Sequence, residues 1–118
     1  MIPAKAILIV LAPLLAVTPA FAETITPSEA SQHVGQSVTV EGVVGEVHHA
    51  ASGNATFIDM GGHYPRNPFA GVIFSDDASK FPNVDSLEGT TIDVTGTIKL
   101  YRGRPEIILN DAGQIKSK

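Results

Sequence analysis

Two short stretches hold the side chains best suited to chemistry on a charged or aromatic ligand. The first, KLYRGRPEI (Lys99–Ile107), sets three basic residues around a tyrosine near the end of an otherwise acidic chain. The second, GGHYPRNPF (Gly61–Phe69), carries Tyr64, Arg66 and Phe69 between glycines and prolines. Aromatic rings can stack on bases while arginines contact phosphate, the combination that single-strand binders use. Tyr64, Arg66, Tyr101, Arg102, Arg104 and His48 are the candidate ligand residues, and Phe69 reads as a cover for the barrel end.

Metal and catalytic chemistry is thin. His33, His48, His49 and His63 are the only histidines. His48 and His49 are adjacent on a strand end, so they point to opposite faces and make poor joint ligands. Asp59 reads as a single outward-facing acid, and Asp76-Asp77 as a cap on the turn that follows them. There is no cysteine for a thiolate site, and no phosphate loop, HExxH or GxSxG. We therefore expect no metal site, no cofactor and no enzymatic activity.

Elements that could position these groups begin after an expected export signal. Lys5, an apolar run from Ala6 to Val17 and the Ala20-Phe21-Ala22 site predict cleavage before Glu23. The run is too short for the ~20 residues of a membrane span. Residues 1–22 are thus read as a signal peptide and 23–118 as one small domain, periplasmic or secreted. That domain has twelve acids against seven bases, a formal −5. Long-range attraction to phosphate backbones would run the wrong way, leaving only a local basic patch. With no disulfide, stability must come from a well-formed core or a closed sheet.

Thr26-Pro27-Ser28-Glu29 predicts a short helix with a capping box, stopped near Gly35. Strand periodicity starts at Ser37, and a parity break placed at Gly42 would let one long strand serve two sheets. ATFIDM, AGVIFS, TTIDVTGTIKLY and RPEIIL read as four more strands. Ile92, Val94, Ile98 and Leu100 are expected on one inward face. A polar connector holding Phe81, Val84 and Leu87 joins strands three and four, with a short helical turn. In the last hairpin, Arg102-Gly103 forms the turn and Gly103 supplies the positive φ. Tyr101 then pairs with Arg104, Leu100 with Pro105, Lys99 with Glu106 and Ile98 with Ile107. Gly96 meets Leu109. Lys99 and Glu106 would be ion-paired, and Arg104 would lie on the Tyr101 ring.

The fold class is all-β, a five-stranded Greek-key barrel of the OB type. The segments VGQSVTVEGVVGEV, FIDMGGHYPRNPFAGVIF and LEGTTIDVTGTIKLYRGRPEIIL, with a closing QI, resemble small OB-fold domains of the tRNA-anticodon-binding and nucleic-acid-binding group. The resemblance covers Val34 to Ile115. It implies a nucleic-acid ligand, and similar domains occur alone in exported bacterial proteins or attached to secreted nucleases. On the usual OB ligand face, strands two and three and the loops one-two and four-five converge, bringing His48 and His49 near Tyr101 and Arg102. The reading is a non-catalytic exported module for single-stranded DNA, RNA or oligonucleotide. The alternatives are a protein-binding or self-assembling envelope module and an oligosaccharide binder.

Overall fold

The computed structural model describes residues 22–118, so the expected signal peptide lies almost wholly outside the described residues. Among the described residues no helix is long and apolar enough to cross a membrane. The strands are β1 (Glu23–Ile25), β2 (Ser37–His49), β3 (Ala55–Met60), β4 (Phe69–Phe74), β5 (Thr91–Tyr101), β6 (Arg104–Ile108) and β7 (Ile115–Ser117). There are seven, not five. The five expected strands are β2 to β6, and they close on themselves in the order β2-β3-β4-β6-β5, with β5 returning to β2. All contacts in this cycle are antiparallel except β4 with β6. The two additional strands are three-residue edges, β1 parallel to β2 and β7 antiparallel to β5. Such short pairings carry too little periodicity to be read from sequence.

The double service of β2 is real, but its break is at Gly45. Val38, Val40 and Val44 stay in step and are all buried, while Val43 is exposed. The β2–β3 register shifts between Val44 and Glu46. A Cβ on Gly45 would overlap the Gly62 carbonyl, so only glycine lets the β3–β4 loop lie against the bulge. Before the break β2 pairs with β5, and after it with β3. Gly42 has a different task. The Pro27 ring sits where its side chain would be.

Pro27–Gln32 forms a 3₁₀ helix over the barrel. The Glu29 carboxylate accepts from the Thr26 backbone N–H at 3.0 Å, as a capping box requires. The connector between β4 and β5 holds two 3₁₀ turns, Ser75–Lys80 and Val84–Leu87. Asp77 there accepts from Lys80 Nζ at 2.8 Å. Phe81 enters the core, with Val84 and Leu87 packed beside it. Phe69, 1 % exposed, is a core residue, as expected of a barrel cover. Ile58, Met60, Ile92, Val94, Ile98, Ile107 and Leu109 fill the rest of the interior. Each such side chain contributes about 1.5–3 kcal/mol by leaving water, and no cysteine adds to that.

The last hairpin has the expected register: Ile98 with Ile107, Lys99 with Glu106, Leu100 with Pro105, Tyr101 with Arg104. Three side-chain expectations fail. Leu100 is 54 % exposed, because the hairpin runs past the last core layer after Ile98. Gly96 faces Ile107 rather than Leu109. Lys99 and Glu106 are neighbours in the ladder but form no ion pair among the described residues.

Candidate functional site

Strand pairing lays Glu46 (β2), Asp59 (β3), Ala70 (β4), Glu106 (β6) and Lys99 (β5) in one row across the sheet. Their immediate neighbours Val47, Ile58 and Ile107 pack in or against the core, so the row belongs to the opposite, outer face. Asp59 is nonetheless 1 % exposed. It is not the outward acid expected from sequence, because the β3–β4 loop roofs this part of the sheet.

What holds the roof is Arg104. Its Nη2 donates to the Pro65 carbonyl at 2.6 Å, the Asn67 carbonyl at 3.1 Å and Asn67 Oδ1 at 2.8 Å. Asn67, itself buried, uses its amide nitrogen to reach Asp59 Oδ1 at 3.1 Å and the Phe69 carbonyl at 3.0 Å. The Tyr64–Pro65 peptide in this loop is cis. Arg104 also lies over the Tyr64 ring, 5.1 Å from its centre, and not on Tyr101 as its strand pairing suggests. The cation against Tyr101 is Arg102, at 5.3 Å.

The His48 ring lies beside Tyr64, ring centres 5.1 Å apart and tilted by 48°, and stacks on Phe57 at 4.8 Å and 15°. Its Nδ1 is 2.6 Å from Asp59 Oδ2. His49 departs from the expected group. It bonds Thr56 and Asp85 instead, as alternation along the strand demands.

The six candidate ligand residues therefore divide. Tyr64 and Tyr101 are 57 % and 54 % exposed rings with Arg104 between them. Arg66 and Arg102 are exposed, with no side-chain hydrogen bond or ion pair among the described residues. Arg104 is a clamp for the loop, and His48 makes a tilted contact with the Tyr64 ring. Asn67 and Asp59 were not chosen from sequence. Their roles depend on contacts between strands far apart in the chain.

Below Tyr101 and Arg104 a cleft of about 40 Å³ is floored by Asp59, Ala70 and Glu106. Burial pushes the Asp59 carboxyl above the usual carboxylate range, partly opposed by His48 and Arg104. Burial alone raises Glu106. The cleft admits a small group, not a whole base, so stacking belongs to the exposed rings above it.

No protein-family model matches the chain, and no curated protein matches it. Solved structures do. An aspartyl-tRNA synthetase from Leishmania major superposes with a TM-score of 0.54 at 13 % identity, over 86 % of this chain and 22 % of that one. An asparaginyl-tRNA synthetase from Entamoeba histolytica gives 0.53 at 16 %, over 82 % and 24 %. The aspartyl-tRNA synthetase of the same organism gives 0.50 at 13 %, over 86 % and 23 %. The chain thus spans less than a quarter of each enzyme. At such identities the likeness is one of fold: this barrel is built like one part of those synthetases.

Proposed function

We propose that the protein is a non-catalytic OB-fold module that binds single-stranded nucleic acid where the β3–β4 loop meets the β5–β6 hairpin. The observation that carries this is the pair of rings, Tyr64 and Tyr101, both more than half exposed and both backed by an arginine. Leaving two tyrosines in water while fixing their orientation makes a stacking platform, and stacking serves any base. Arg66 and Arg102 stand beside them as the cations open to phosphate. The fold supports the reading by analogy, since the similar structures are synthetases named for tRNA. Export directed by residues 1–22, with cleavage before Glu23, belongs to the same proposal.

The test is a titration of labelled single-stranded DNA and RNA against the protein at two salt concentrations. Tyr64→Ala and Tyr101→Ala are each expected to weaken binding by about 1–3 kcal/mol. Arg66→Glu with Arg102→Glu should weaken it further at low salt while leaving the fold intact. No oligonucleotide binding at low salt overturns the proposal. Binding to neutral oligosaccharides through the same tyrosines, indifferent to salt, replaces it with a glycan module.

A further inference from the structure

Beside the aromatic platform, among the described residues, Glu46, His48 and Asp59 each offer a ligand atom within 4.8 Å of the others, an arrangement that ligand stacking does not explain. We propose that these three side chains form a binding site for one divalent transition-metal ion of the zinc type. This inference is independent of which ligand the platform takes.

The case starts from Asp59. Its carboxylate is 1 % exposed, and a carboxylate that stays ionised in such a place is paired with a cation or bound to a metal. Arg104, reaching the loop from β6, is spent on Asn67 and Pro65 and forms no ion pair with Asp59. Among the described residues its one ion-pair partner is the imidazole of His48. An imidazole nitrogen with two carboxylate oxygens is a donor set for zinc, leaving at least one position open to water or ligand.

The surrounding contacts hold the ligands as outer-shell groups do in metal sites. Asn67 Nδ2 occupies Asp59 Oδ1, which leaves Oδ2 facing His48. The Tyr64 backbone N–H donates to Glu46 Oε1 at 3.2 Å, fixing that carboxylate at the bulge. Phe57 stacks on the His48 ring and sets its plane, and Tyr64 meets it at a tilt. Glu46 and Asp59 are direct cross-strand partners, so their separation is set by the ladder.

Binding would exchange one contact. The hydrogen bond between His48 Nδ1 and Asp59 Oδ2, 2.6 Å long, opens and its proton leaves for solvent. The two atoms then move to roughly 3.3 Å apart, the spacing of ligands at a tetrahedral zinc. That opening is small enough for side-chain rotation. Sequence spacing could not reveal the set, because Glu46 and His48 come from one strand and Asp59 from the next.

The test is isothermal titration of the untagged protein with zinc chloride, with magnesium chloride as comparison. One zinc ion per chain is expected, with no magnesium binding at the same concentrations. Glu46→Gln and His48→Gln should each weaken zinc binding at least tenfold, and cobalt should give a visible absorption band that His48→Gln abolishes. Glu46 is only half-buried, so Glu46→Gln keeps the test alive where an Asp59 variant fails to fold. His33→Gln, His49→Gln and His63→Gln should each leave the affinity within about twofold. Full zinc binding in Glu46→Gln and His48→Gln, or its loss in any of the three other histidine variants, overturns the proposal.

Discussion

Replacing Gly103 with valine isolates one physical effect. The turn between β5 and β6 has φ of 51° at Arg102 and 78° at Gly103, the two positive values of a type I′ hairpin turn. A Cβ built on Gly103 meets no atom within 4 Å. Any loss of stability is therefore backbone cost and not a clash. The left-handed region costs an L-residue about 1–2 kcal/mol, and a β-branched side chain sits at the upper end, so ~2 kcal/mol is expected. In a domain of about a hundred residues each kcal/mol moves the melting point by about 4–8 °C. Gly103→Val should then melt roughly 8–16 °C lower by circular dichroism. Arg102 supplies the opposite control. It already holds a positive φ that asparagine tolerates better, so Arg102→Asn should raise the melting point slightly. An unchanged melting point in Gly103→Val, with a fall in Arg102→Asn, would refute the turn assignment and every cross-strand pair built on it.

Arg104→Ala should cost about 1.5–3 kcal/mol, because it strips a charged donor from three acceptors of the β3–β4 loop. Limited proteolysis should then cut near Tyr64–Arg66, and Arg104→Lys should not restore protection, because it lacks the planar guanidinium that lies over the Tyr64 ring; an uncut loop counts against the clamp. Glu106→Gln concerns pH. Burial raises the Glu106 carboxyl, so the folded state holds its proton more tightly than the unfolded chain. Its contribution favours folding at low pH and is lost as pH rises through the window just above the ordinary carboxylate range. Glu106→Gln should therefore melt higher than the parent at neutral pH, with the difference shrinking towards about pH 4. A parent that is the more stable at neutral pH would contradict this.

Much of the scaffold was legible from local pattern. Strong alternation in Thr91–Tyr101, the capping box at Thr26–Glu29 and the Arg102-Gly103 turn are each encoded within a few residues, and each is present. Where reading failed, the deciding contact was remote. The parity break falls at Gly45 because Gly62, far along the chain, presses on it. Leu100 is in phase with Ile98 yet exposed, since phase does not say where the core ends. Arg104 stacks on Tyr64 instead of its ladder neighbour Tyr101 because the loop carbonyls draw it inward. Asp59 shows the limit most clearly. Alternation put it on the outer face, and only the folded loop, which no local pattern encodes, makes that face an interior.

The acidic balance of the chain can be reconciled with an oligonucleotide ligand through this division of the arginines. If Arg104 is structural, only Arg66 and Arg102 remain at the platform to neutralise phosphate. Two contacts at a slope near 0.7 each give a total of roughly 1.4 in log affinity against log salt, far shallower than for a binder driven by charge. Two stacked bases at ~1–3 kcal/mol each outweigh that contribution. Glu106 and Asp59 beneath the rings would also repel a backbone laid directly over the cleft. The strand is then expected to present bases inward to the tyrosines and to keep its phosphates at the rim, near Arg66 and Arg102. The net negative charge lowers the encounter rate without removing the platform. Under the proposed function, selectivity for flexible single strands over duplex is expected, because a base must leave its stack before Tyr64 and Tyr101 can take it.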